Sequence, residues 1–194
     1  MQNTIIYLIG HYGVGKLTIG KTLVAQTGAR LFDNHLANNV IFSLVREDGA
    51  TKLDEKVWDL IGIIRRQALT AIEEIAPAER SFVLTNALME EDPRDRDCYD
   101  EVVATAEKRG STFVPVFLTA SDAAHAARIP SAEREERMKM TDAEGAARKR
   151  QATRLLEVDH PNRLDLDTTH LAPADAARMI VEHAEKCAGI SRAR

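Results

Sequence analysis

Three glycines and a lysine are spaced so that they could hold phosphate. Gly10, Gly13, Gly15 and Lys16 sit directly after the apolar run Thr4–Ile9 and directly before a helical pattern. Read in order, Gly10-His11-Tyr12-Gly13-Val14-Gly15-Lys16 satisfies GxxxxGK, the strand–loop–helix phosphate motif. Glycines let successive backbone N–H groups turn inward around phosphate oxygens, and the helix start adds the positive end of a dipole. Lys16 is then placed to reach the β- and γ-phosphates of a nucleoside triphosphate. The next residue of such loops is usually Ser or Thr, whose hydroxyl ligates Mg²⁺. Here it is Leu17, with Thr18 one place later. Leucine has no ligating atom, so the expectation is a Mg²⁺ held mostly through water, with Thr18 either bonding a phosphate or serving as an ordinary first-turn residue.

The elements that must position this loop alternate between short apolar runs and helical periods. Strands are predicted at Thr4–Ile9, Ala29–Phe32, Ser81–Thr85, Thr112–Leu118 and Arg163–Asp167. From Asp54 to Ala76 apolar residues recur at Val57, Ile61, Ile64, Ala68, Ile72 and Ile75, one face of a helix that Pro77 ends. Another helix has Asp92 as N-cap, Pro93 at its first position, Val102, Val103 and Ala106 turned inward, and Gly110 as its stop. A helix Asn34–Arg46 follows the second strand, and a last one runs from Pro173 to about Cys187. Strands alternating with helices predict crossover connections, hence a three-layer α/β/α fold around a five-stranded parallel sheet. Ligands of such sheets sit at the carboxyl ends of the strands. No linker divides residues 1–194, and one domain is expected.

Bulk properties narrow the function. The 194 residues carry a net charge of -4, with 44% hydrophobic and only 5% aromatic residues. An acidic balance without clustered aromatics argues against a nucleic-acid strand as partner. The N-terminus lacks a cationic start followed by a long apolar stretch, and the longest apolar runs are too short to span a bilayer. Cys98 and Cys187 have no ligand-spaced neighbours and read as reduced thiols of a cytoplasmic protein.

With loop and element order in hand, the chain resembles the P-loop small-molecule kinases, the group containing shikimate kinase, gluconate kinase, adenylate kinase and chloramphenicol phosphotransferase. Gly15-Lys16-Leu17-Thr18 is similar to the adenylate kinase form of the loop. The resemblance implies a P-loop NTPase fold of the nucleoside monophosphate kinase type. It also implies ATP with Mg²⁺, a small-molecule hydroxyl acceptor over the sheet, and a mobile basic lid. It implies a role for the carboxylate ending the second strand in "LFDNH": Asp33 would deprotonate or orient the acceptor hydroxyl, and is the candidate contact to Mg²⁺. The competing reading makes Asp33 the N-cap of the next helix. His35 stands where shikimate kinases have a second Asp, and either contacts the acceptor or starts the helix. Asn86 ends the third strand, where an acceptor or metal-water contact is implied or a turn is capped. The glycine-rich turn of shikimate kinases is missing there.

The implied lid covers about 128–150. Between Arg128 and Arg154 eight Lys or Arg face five Asp or Glu, a local +3. Arg128, Arg134 and Arg137 are the candidate phosphate contacts, Arg128 and Arg137 as catalytic charges and Arg134 toward the acceptor. Glu133–Arg137, Glu135–Lys139 and Glu144–Arg148 equally suit a solvated helix. Asp167 and Thr168, after the last strand, resemble the stretch flanking adenine in chloramphenicol phosphotransferase-like proteins, or form a plain turn. The expected activity is transfer of the γ-phosphate of Mg-ATP to a small molecule's hydroxyl. Leu17 and the missing Asp after the third strand, which both weaken the metal site, keep open a nucleotide-binding regulator without phosphotransfer. A kinase of a nucleotide sugar or nucleic-acid 5′-hydroxyl is the third reading.

Overall fold

A computed structural model describes residues 1–45, 53–129 and 143–192. Arg46, Arg134, Arg137 and Lys139, and with them most of the implied lid, lie outside the described residues.

Five parallel strands form one sheet in the order β2-β3-β1-β4-β5, with β1 Thr4–Ile9, β2 Arg30–Asp33, β3 Phe82–Asn86, β4 Thr112–Thr119 and β5 Leu164–Asp167. Seven helices are described: α1 Lys16–Thr27, α2 His35–Val45, α3 Glu55–Thr70, α4 Pro93–Arg109, α5 Asp122–Arg128, α6 Ala143–Ala152 and α7 Pro173–Arg192. Every residue of β1 is buried, because a central parallel strand is covered on both faces. Strand alternation sends Ile6 and Leu8 to one side, where they pack with Ile19 and Leu23 of α1 and Ala176, Ala177 and Ile180 of α7. Ile5, Tyr7 and Ile9 face the other side, against Leu69 of α3 and Val102 and Ala106 of α4. The result is three layers. A smaller cluster, Ala37 and Phe42 of α2 with Val57 and Ile61 of α3, joins the Ile5, Tyr7 and Ile9 side through Phe32, which packs against both.

The strands fall within a residue of their predicted ends, and α4 keeps its predicted signals. The Asp92 side chain accepts from the Arg94 N–H, and Gly110 closes the helix at φ 63°. Two expectations change. The last helix continues past Cys187 to Arg192. Ile75, assigned to the buried face of its helix, is 79% exposed. The cause is local: α3 ends in a π-helical turn, Ala71–Ile75, where the Ala76 N–H reaches back to the Ala71 carbonyl. One extra residue in the turn rotates the residues beyond it by about a quarter of a circle, which keeps Ile72 inside and turns Ile75 out. The Arg109 guanidinium donates to the carbonyls of Ile72, Ala76, Pro77, Ala78 and Arg80, supplying partners that a helix end otherwise lacks. Among the described residues no helix is long and apolar enough to cross a membrane.

Candidate active site

The loop between β1 and α1 is shaped by its glycines. A Cβ on Gly10 would lie 2.5 Å from the Leu118 carbonyl oxygen, so only glycine allows the chain to leave β1 this close to β4. Gly13 and Gly15 hold φ of 87° and 97°, the left-handed region that side chains disfavour. Lys16 opens α1, and its Nζ donates to the carbonyl oxygens of Gly10 at 2.5 Å and His11 at 2.9 Å. The Tyr12 carbonyl accepts from Nδ1 of His125, a buried histidine of α5, at 2.6 Å. The Val14 carbonyl accepts from the Thr168 hydroxyl at 2.9 Å.

Positive charge concentrates here. Burial, then the neighbouring charges of Lys16, His125 and Arg150, push His11 down to about 4. Burial also lowers His125. Both imidazoles are therefore neutral at pH 7, and the cations at the loop are Lys16 and Arg150. Arg150 is itself held by Asp122 at 2.7 Å.

The loop forms one wall of a cavity of about 410 Å³, also lined by Leu17, Thr18, Asp33, His35, Thr85, Asn86, Arg128 and Thr168. These come from the carboxyl ends of β2, β3 and β5, from the first turns of α1 and α2, and from α5, at the edge where a parallel sheet is expected to bind ligands. Asp33 is only 5% exposed and accepts from the Thr85 hydroxyl at 2.7 Å, while the Asn34 N–H donates to the same hydroxyl oxygen at 3.3 Å. The first turn of α2 closes on the Asn34 carbonyl, which receives the N–H groups of Ala37 and Asn38. The Asp33 carboxylate thus faces a cavity with its orientation set by a neighbouring strand. Asn86 donates to the Tyr7 hydroxyl at 3.2 Å and accepts from the Ala87 N–H at 2.8 Å. His35 shares a 3.4 Å contact between its Nδ1 and Asn38 Nδ2.

Two nominated residues have structural duties. Arg128 donates to the Thr168 hydroxyl and to the carbonyls of Thr168 and Thr169, tying α5 to the turn after β5. Asp167 is exposed, accepts from the Thr169 N–H at 2.8 Å, and does not line the cavity. Its side chain closes a turn, while Thr168, 2% exposed, bridges the Val14 and Thr119 carbonyls.

For a metal, Asp33 is the one carboxylate among the described residues lining this cavity, beside the hydroxyls of Thr85 and Thr18. Among the described residues no group of three His, Cys, Asp or Glu gathers as a metal site. This donor set fits a Mg²⁺ that keeps several of its waters.

Tyr12, Asn34, His35, Asn86 and Ala87 also line a second cavity of about 1050 Å³. It opens between α2, α3 and α4, a set of residues that sequence reasoning did not assemble. Phe42 and Trp58, edge to face with centroids 5.8 Å apart, form part of its wall. Met89 pairs with Leu155 across an isolated bridge, which brings the chain after α6 alongside this groove. From α6, Lys149 places its Nζ 5.2 Å from the centre of the Tyr12 ring.

Asp95 lies in the same groove, accepting from the Met89 N–H at 2.7 Å, and burial pushes its carboxyl up from 3.8 to about 6. The folded carboxyl keeps its proton to higher pH than the unfolded one. Its contribution to stability is therefore full below about pH 4 and is lost as pH rises through about 6. The shift corresponds to at most about 3 kcal/mol, and partial exposure screens it to about 1 kcal/mol. Asp95→Asn retains the acceptor for Met89. Thermal melts should show it about 2–4 °C more stable than the parent at pH 8 and indistinguishable at pH 4.

A family profile described as an AAA domain matches residues 5–158 of the chain. The match spans the loop, Asp33 and all of the sheet up to the segment before β5. The chain belongs to this AAA-domain family. No curated protein matches it in sequence. Among solved structures, the AAA-domain chain is similar to a gluconokinase from Sinorhizobium meliloti 1021, at 16% identity and TM-score 0.56, over 98% of this chain and 94% of that one. It is similar to a shikimate kinase from Acinetobacter baumannii in complex with shikimate, at 16% identity and TM-score 0.52, over 94% of this chain and 93% of the other. It is also similar to the tunicamycin resistance protein of Deinococcus radiodurans, at 17% identity and TM-score 0.54, over 93% and 94% of the two chains. At these identities the likeness is one of fold, and the fold is that of the P-loop small-molecule kinases.

Proposed function

We propose that this protein is a phosphotransferase that moves the γ-phosphate of ATP to a hydroxyl of a small-molecule acceptor. One observation carries the reading. The phosphate loop and a buried, oriented carboxylate face the same cavity, and that cavity shares five residues with a second, larger groove. A passive nucleotide binder needs the first cavity and has no use for the rest.

In this reading the loop from Gly10 to Thr18 cradles the phosphates, with Lys16 on the terminal ones. Asp33 takes or orients the proton of the acceptor hydroxyl, and the Thr85 hydroxyl keeps its second oxygen aimed. Asp33, Thr18 and water would hold Mg²⁺, which supplies charge neutralisation on the phosphates when bound. Tyr12 stands where the two cavities meet, with the Lys149 charge against its ring. Catalysis of this kind rests on positioning and on neutralising charge rather than on covalent chemistry. The alternative, a regulator that binds nucleotide without transfer, is favoured by Leu17 and by the lack of an Asp directly after β3.

The test is release of ADP from Mg-ATP over a panel of sugars, sugar acids, hydroxy acids, nucleosides, nucleotide sugars and hydroxylated antibiotics. Stimulation by an acceptor, with the phosphorylated product found by mass spectrometry, supports the kinase. Nucleotide binding with no stimulation by any acceptor class supports the regulator.

A further inference from the structure

The larger groove has a chemical character that narrows what it would take, granted that it receives the acceptor. Its wall is apolar and aromatic over much of its extent: Phe42, Trp58, Ile61, Ile63 and Met89. Within it lies Arg65 of α3, half-buried, whose Nη1 donates to the Cys98 sulfur at 2.6 Å and whose Nε has no partner. Among the described residues no carboxylate comes within ion-pair distance of the Arg65 guanidinium.

The groove also holds carboxylates, but they are engaged elsewhere or face water. Glu101 pairs with Arg66 at 3.3 Å, Asp92 with Arg94 at 3.1 Å and Glu91 with Arg154 at 3.2 Å. Asp95 is occupied by the Met89 N–H, and Asp59 and Asp97 are exposed. Among the described residues Arg65 is thus a half-buried cation with no direct ion pair, its charge met at longer range by Asp95. A cation in that position is costly unless a ligand supplies the anion. On α2, Asn38 is only 6% exposed and its Oδ1 has no donor, a second unmet polar group on the same groove.

We propose that the acceptor is an amphipathic hydroxyl compound: an apolar body that packs on Phe42 and Trp58, one acidic group that pairs with Arg65, and a hydroxyl presented toward Asp33. A polar sugar acid would leave the aromatic wall unused. A neutral apolar alcohol would leave the Arg65 guanidinium without a direct ion pair.

Trp58 is the only tryptophan of the chain and lines the groove, so its fluorescence reports binding there without any phosphotransfer. Full-length protein is titrated with ω-hydroxyoctanoate, ω-hydroxyoctyl phosphate, ω-hydroxyoctanamide and gluconate. One or both octyl acids should shift Trp58 emission and bind at least about tenfold tighter than the amide and than gluconate. Which of the two acids binds tighter identifies the anion as carboxylate or phosphate. Arg65→Met should abolish the preference for acid over amide, and Arg65→Lys should restore part of it, both checked as folded by circular dichroism. Equal binding of acid and amide, gluconate binding as tightly as the octyl acids, or no Trp58 response to either acid overturns the proposal. ADP release separates it from the kinase reading. Acids that bind without ever stimulating release refute phosphotransfer to them and leave the recognition intact. Release driven by a neutral sugar with no Trp58 change does the reverse.

Discussion

Lys16→Met is expected to lower the rate of ATP-dependent phosphotransfer by about 10³-fold, the loss seen when a preorganised charge at a developing negative centre is removed. The size follows from where the charge sits. Lys16 opens α1 at the end of a loop whose own carbonyls hold the ammonium, so it costs little reorganisation to turn the charge onto a phosphate. The methylene stem is retained in methionine, and the left-handed glycines that shape the loop are untouched. The melting temperature should therefore move little while nucleotide affinity falls. A second readout ties the effect to this site. Lys16 is, after burial, the main cause of the low His11 value near 4, so the variant's His11 resonance should titrate closer to its ordinary 6.5. A variant that keeps full activity sinks the phosphate role of Lys16. One that loses activity with His11 unmoved shows that the charge does not reach the loop in this way.

Asp33→Asn should cost about 10²–10⁴ in kcat, the range for losing a positioned general base. Asparagine preserves an acceptor for the Thr85 hydroxyl, so the geometry at the end of β2 survives and the loss reports chemistry rather than unfolding. Thr85→Val is the complementary change: it removes the donor that orients the carboxylate and should cost less, about tenfold, because the base remains but wanders. If Asp33→Asn retains wild-type kcat, the carboxylate is a strand-end fixture and the acceptor proton leaves by another route. If both variants fall equally, orientation by Thr85 is the whole of its contribution.

How far the sequence disclosed this site depends on how local each part is. The phosphate loop is contiguous, and its glycines carry conformational demands that only glycine meets, so the motif could be read directly. The strands were legible because both faces of β1 are covered, which forces unbroken apolar runs. Asp33 was visible as the last residue of a strand. The groove was not, because it is assembled from α2, α3, α4 and the loop after β3, separated by tens of residues. Nothing local tells Arg65 from Arg66, yet among the described residues Arg66 pairs with Glu101 while Arg65 bonds the Cys98 sulfur and makes no direct ion pair. Ile75 misled the helical period because a π turn inserts a residue that no apolar spacing announces. His125 carried a weak signal, a histidine in the first helix after β4, but its bond to Tyr12 joins residues 113 positions apart.

The smaller cluster of Ala37, Phe42, Val57 and Ile61 has a consequence for how such a protein can change over generations. The phosphate-binding half leans on the two large clusters against the sheet, knitted further by Thr168 and Arg128. The region of α2 and α3 adds four buried residues of its own, joined to the sheet through Phe32 and Leu69. On the proposed reading, substitutions that reshape α2 and α3 for a new compound must keep that small cluster and the contacts of Phe32 and Leu69, and leave the loop's geometry intact. On that reading evolution, or an engineer, is offered a fixed source of phosphate with an exchangeable receiver, and Phe42 is the residue at which the two requirements, packing and recognition, meet.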